Sequence, residues 1–129
     1  MRITTRRLLG ALTFSCAALI LTGVHVMAAQ DAAAAKNLVR DPAIAARKLY
    51  DAWQAKNRTT ARTIASDAAI AKIFAVTPVP MTYHACQRTD VGEFECVYRN
   101  AKDDFEVWFK VTGGASAGYH VDAVSLSTD

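Results

Sequence analysis

An excess of charge is the first thing this sequence lacks once its N-terminus is set aside. The 129 residues carry 15 Lys+Arg against 12 Asp+Glu, but Arg2, Arg6 and Arg7, which make up the whole difference, lie ahead of an N-terminal apolar run. Beyond that run the two signs balance. A net basic patch for nucleic acid or an anionic lipid surface is therefore excluded as an expectation. Catalytic signatures are missing as well. There is no Gly-rich phosphate loop, no serine-nucleophile motif and no Cys/His metal spacing, so no cofactor is implied. Of three cysteines, Cys16 falls inside the apolar run, where Thr13-Phe14-Ser15 makes a poor lipoprotein box. The other two lack the Cys-x-x-Cys spacing of a redox pair.

What is present begins with a leader. Arg2, Arg6 and Arg7, an apolar stretch from Leu8 to about Val26 and then Ala28-Ala29 have the composition of a secretory signal peptide over residues 1–29. The stretch approaches the roughly 20 residues that span a bilayer, so an uncleaved anchor is the alternative. Arg6-Arg7 ahead of Leu8-Leu9 also resembles a twin-arginine export signal. Export, to a periplasm or to the medium, places the chain where disulfides persist. Membrane contact is expected only through the N-terminal segment, if it is uncleaved.

Residues 30–40, QDAAAAKNLVR, read as a flexible or helical tether, and residues 41–129 as a single α+β domain. Asp41-Pro42 is a helix start, Asp capping and Pro filling the first turn. The spacing then predicts a first helix to about Asn57, with Ala46, Leu49, Tyr50 and Trp53 on one face. A second helix is expected over 58–76, with Ser66-Asp67 able to recap it midway, ending before Pro78 and Pro80. From Met81 the apolar period changes to two, and MTYHACQR, EFECVYRN, FEVWFKVT and YHVDAVSL read as four strands in sequential hairpins. The expected architecture is two helices packed on one face of a four-stranded antiparallel sheet, stapled by one hairpin disulfide.

That disulfide answers why Cys86 and Cys96 bracket a turn. Setting them opposite each other makes Asp90-Val91-Gly92 a tight loop with Gly92 free for positive φ, and sets His84 against Tyr98. For the next pair, Phe94 against Phe109, Cys96 against Val107 and Tyr98 against Phe105 also brings Glu93 to Lys110 and Arg99 to Asp104. In the last hairpin Val111 faces Tyr119 and Phe109 faces Val121. One face is then apolar throughout: Phe94, Cys96, Tyr98, Phe105, Val107, Phe109, Val111, Tyr119 and Val121.

The stretch ARKLYDAWQAKNRTTARTIASDAAIAKIF, a helix with an aromatic face, a polar break and a second helix ending in Phe74, resembles the opening of nuclear transport factor 2-like (cystatin-like α+β) domains. FECVYRN and YHVDAVS resemble the strands of their small exported members. The resemblance implies a curved sheet on helices, sometimes around an apolar pocket, in a family of isomerases, dehydratases, ligand binders and interaction modules. Fold then does not decide function. Two helices followed by a cysteine-bracketed hairpin also resemble one repeat of the β-lactamase inhibitory proteins. The Gln-x-Val-x-Gly signature of the cystatin inhibitors is absent.

Three constellations are candidates. His84 and Tyr98 on the apolar face would serve as acid and base of a small lyase or isomerase; His120, beside Asp122 and Lys110, lies on the other face. Tyr50, Trp53, Phe74 and Phe105 would line a pocket for a small apolar ligand. Trp108 alternates onto the charged face with Tyr83, Arg99 and Lys110, between Glu95 and Asp122, as an interface anchor would. The leading expectation is an exported, non-enzymatic binding or protein-interaction module; the alternatives are the lyase or isomerase and a secreted enzyme inhibitor.

Overall fold

Asp41, in extended backbone conformation, accepts hydrogen bonds at its Oδ1 from Ala43 N (2.8 Å) and Ile44 N (3.4 Å), and Pro42 follows as the first helical residue. This cap starts α1, Pro42–Gln54, which buries Ala45, Ala46, Leu49, Ala52 and Trp53. The structure, a computed structural model, describes residues 38–128. The expected leader and most of the expected tether lie outside the described residues. Where the tether is described it is engaged: Val39 is buried, and its carbonyl accepts from Tyr119 N at 2.7 Å.

The expected second helix is two helices. α2, Arg58–Ala61, ends after four residues, and α3, Asp67–Ile73, starts afresh. Between them Ile64 and Ser66 hydrogen-bond the backbone of Val121, and Ala65 bridges Val121 in parallel. Thr59, Thr60, Thr63 and Ile64 are β-branched and weak helix formers. A pairing offer from a strand edge therefore prevails over helix continuation. Ser66 completes the switch: its Oγ accepts from Ala69 N (3.1 Å) as the α3 cap and donates to Asp122 O (2.6 Å).

Four antiparallel strands follow in sequence order, β1 Thr82–Asp90, β2 Glu93–Asn100, β3 Phe105–Gly114 and β4 Gly118–Thr128. Cys86 faces Cys96 and the two are disulfide-bonded. Gly92 takes φ +71° in the two-residue turn as expected. At Gly113, φ is +123°, and a Cβ there would collide with the Gly118 carbonyl, so only glycine closes the last hairpin this way.

The β2–β3 register slides by two residues from expectation, and the β3–β4 register by two at Val111 and by three past a bulge, so that Phe109 faces Val124 rather than Val121. Phe94 faces Val111, Cys96 faces Phe109, Tyr98 faces Val107, and Val111 faces Val121. Turn chemistry sets the first slide. Asn100 Oδ1 accepts from the backbone N of Lys102 (2.9 Å) and Asp103 (3.3 Å), and Asp104 adopts φ +50°, which fixes a four-residue loop between Asn100 and Phe105. A slide of two keeps every side chain on its face. The expected apolar face is intact: Cys96, Tyr98, Val107, Phe109, Val111 and Val121 are buried, and Phe94, Phe105 and Tyr119 pack against them. Three register shifts were not expected. Two lie in β1, between Tyr83 and Ala85 and between Arg88 and Asp90; the third, after Val121, brings Val124 and Leu126 into the core cluster. Leu49, Trp53, Ile70 and Ile73 from the helices belong to that same cluster.

Candidate functional site

Proton-transfer chemistry would need His84 and Tyr98 together, and the first bulge separates them. Tyr83, not His84, stands opposite Tyr98, and His84 is the extra, exposed residue of the bulge. No hydrogen bond joins the two among the described residues. The expectation of an inward His84 is thus corrected. Tyr98 is 4 % exposed, stacked on Tyr50 at 4.5 Å and met edge-on by Tyr83 (5.6 Å) and Phe109 (5.5 Å). Burial, and secondarily the Asp51 carboxylate, pushes its hydroxyl up to about 12. Such a phenol holds its proton at neutral pH and is poorly matched to acid–base exchange there. His120 lies opposite Thr112, with Nε2 3.2 Å from Oγ1. Among the described residues no His, Cys, Asp and Glu cluster of three that would hold a metal ion occurs.

The outer face of the sheet carries Trp108, as alternation expects, but in different company. Its cross-strand partners are Val97 and Ser125 rather than Glu95 and Asp122. Tyr83 is turned to Tyr98, away from the Trp108 set. The indole N–H donates to Glu106 Oε2 at 3.1 Å. Arg99 binds Asp104 (3.0 Å) and Glu106 (3.4 Å), and Lys110 binds Glu93 (3.1 Å). The Glu93 hydrogen bond, then its charge, raises the Lys110 pKa. Instead of an aromatic ringed by free cations, this is a half-buried tryptophan among satisfied ion pairs. Beside it Val97 is 7 % exposed although it lies outside the core cluster. Cross-strand pairs on one face are in contact range, so Trp108 is part of Val97's cover.

The third constellation divides. Trp53 and Phe74 line an open cleft of about 320 Å³, together with Lys56, Arg58, Thr77 and Pro78. Tyr50 is elsewhere, its hydroxyl bridging Met81 N (3.0 Å) and Met81 O (3.3 Å), and Phe105 packs at the far end of the sheet opposite Asn100 and Thr128. Trp53 is fully buried, and its indole N–H donates to Val76 O at 3.1 Å, pinning the 74–78 segment over the end of α1. Arg58 lies over the Phe74 ring, 4.8 Å from its centroid, a cation–π contact. Lys56 holds φ +54° where α1 ends, with Asn57 N bonded to Ala52 O (2.8 Å) and Lys56 N to Trp53 O (2.9 Å). This is the helix stop usually made by glycine, and an L-residue there costs on the order of 1 kcal/mol.

Lys56 and Arg58 entered the sequence reading only as a polar break between helices. The signal that singles them out is conformational, a lysine in a left-handed stop, and no residue pattern announces it. Compared with protein families, curated proteins and solved structures, the chain matches none.

Proposed function

We propose that this protein is an exported binding module that acts by contact through the outer face of its sheet. The observation that carries the reading is Trp108, half-buried and aligned with Val97 on the face that the core does not use. In this reading the helices cover one sheet face so that the other is free, the arrangement expected of a small nuclear transport factor 2-like domain. Export is supported by the Cys86–Cys96 bond and by the composition of residues 1–29. Among the described residues no helix is long and apolar enough to cross a membrane. The rival lyase or isomerase loses support because its acid and base are apart and Tyr98 keeps its proton.

A photo-crosslinking side chain at Ser125, next to Trp108, compared with one at Lys72 on α3, tests the proposal in intact cells. Adducts from Ser125 that vanish with Trp108→Ala are expected. That variant should cost about 2 kcal/mol or more of partner binding but less than that in folding stability. Adducts from Lys72 alone, or a Trp108→Ala variant that captures as well as the parent, would sink it.

A further inference from the structure

We propose that the cleft between the end of α1 and the 74–78 segment is a binding site for a small organic carboxylate with an aromatic or short aliphatic body. Its volume, about 320 Å³, is at the small end of ligand pockets. Its apolar lining is supplied by Phe74, Val76 and Pro78 over the buried Trp53, and its charge by Lys56 and Arg58, with no carboxylate in the lining. The remaining charge is therefore positive. Neither cation forms an ion pair among the described residues. Both are also held. Arg58 sits over the Phe74 ring, and a guanidinium so placed keeps N–H donors for a carboxylate, which it grips in bidentate fashion. Lys56 occupies a left-handed stop that glycine would fill at lower cost, which fixes its backbone beside the cleft. Trp53 cannot serve as a donor because its N–H is already bound to Val76 O, leaving recognition to the two cations and the Thr77 hydroxyl. The site is separate from the Trp108 face and does not depend on the reading given to that face.

The test uses the full chain, 15N-labelled, titrated with 4-phenylbutanoate and, separately, with its neutral amide. The acid should shift the Trp53 indole N–H and the amides of Lys56, Arg58, Val76 and Thr77 saturably, and the amide should bind about tenfold more weakly or worse. Lys56→Gly and Arg58→Gln should each weaken acid binding by about tenfold. Lys56→Gly should at the same time leave the melting temperature unchanged or higher, which separates lost recognition from lost folding. Equal binding of acid and amide, no saturable shift at millimolar acid, shifts confined to another surface, or unchanged affinity in both variants would each overturn the proposal.

Discussion

The two edges of the sheet are protected by opposite means. Along the first part of β4 the outer backbone groups are paired: Tyr119 N with Val39 O, Val121 N with Ile64 O, and Val121 O with Ser66 N. Along β1 no strand lies beyond among the described residues, and most of its side chains are exposed. What β1 has instead is irregularity, with register shifts at Tyr83/Ala85 and Arg88/Asp90, charges at Arg88 and Asp90, and a covalent tie to β2. Bulges and charges blunt an edge that would otherwise template pairing with another chain. One edge is thus closed over its first part by the protein's own backbone, whereas the other is left open and made hard to extend. The β4 edge, the inner one, relies on backbone pairing; the β1 edge, the outer one, relies on a bond.

The largest expected effect breaks the outer edge. Replacing Cys86 and Cys96 together by alanine removes a loop constraint of about 3 kcal/mol in the chain-entropy model, and the melting temperature should fall by roughly 10 °C or more. Thermal unfolding with and without reductant checks it, and an unchanged midpoint would show that the packing of β1 suffices.

Next comes pH. Because burial raises the Tyr98 pKa from about 10 to about 12, the folded state holds a proton that the unfolded chain releases first. The stability this group contributes is complete below about pH 10 and is lost as pH rises toward 12, a decline of about 2 to 3 kcal/mol. Tyrosinate absorbance should contain a late phase near pH 12 that Tyr98→Phe abolishes. Tyr98→Phe should also flatten the alkaline part of the stability profile.

The smallest effect sharpens the inner edge. Ser66→Ala deletes both the α3 cap and the bond to Asp122 O, for about 1 to 2 kcal/mol. In hydrogen exchange, the amides of Tyr119 and Val121 should be among the slow class in the parent, and Val121 should quicken in this variant. A Val121 rate unaffected by Ser66→Ala would mean that the edge does not depend on the cap.

The contrast also explains what was legible in the residues. Period-two runs and turn residues gave all four strands, and the inward face was right at every position named except that His84 does not share it. Register was not fixed by the same evidence. Glu93–Lys110 and Arg99–Asp104, the pairs used to choose it, do form, but diagonally across a ladder shifted by two. Long charged side chains reach diagonal neighbours, so charge pairing cannot separate registers two residues apart. The bulge at His84, which re-pairs the residues before it, and the one after Val121, which redirects those that follow, come from tertiary pairing and leave no mark in composition. The same is true of the helix break at Ile64–Ser66, where the deciding partner, Val121, is more than fifty residues away. For the candidate sites the cost was greater, since one bulge removed His84 from Tyr98 and Tyr83 from the Trp108 set together.

That distance has a kinetic meaning. Every strand is joined to the next by a turn of two to four residues, so the sheet assembles from contacts close in sequence, and such contacts form early. The Ser66–Asp122 bond spans 56 residues and requires the sheet to be in place before it is made. Ser66→Ala should therefore speed unfolding while leaving the refolding rate nearly untouched, a φ-value near zero in stopped-flow measurement, whereas changes in the β1–β2 and β2–β3 turns should slow refolding. The segment that seals β4 arrives last and leaves first.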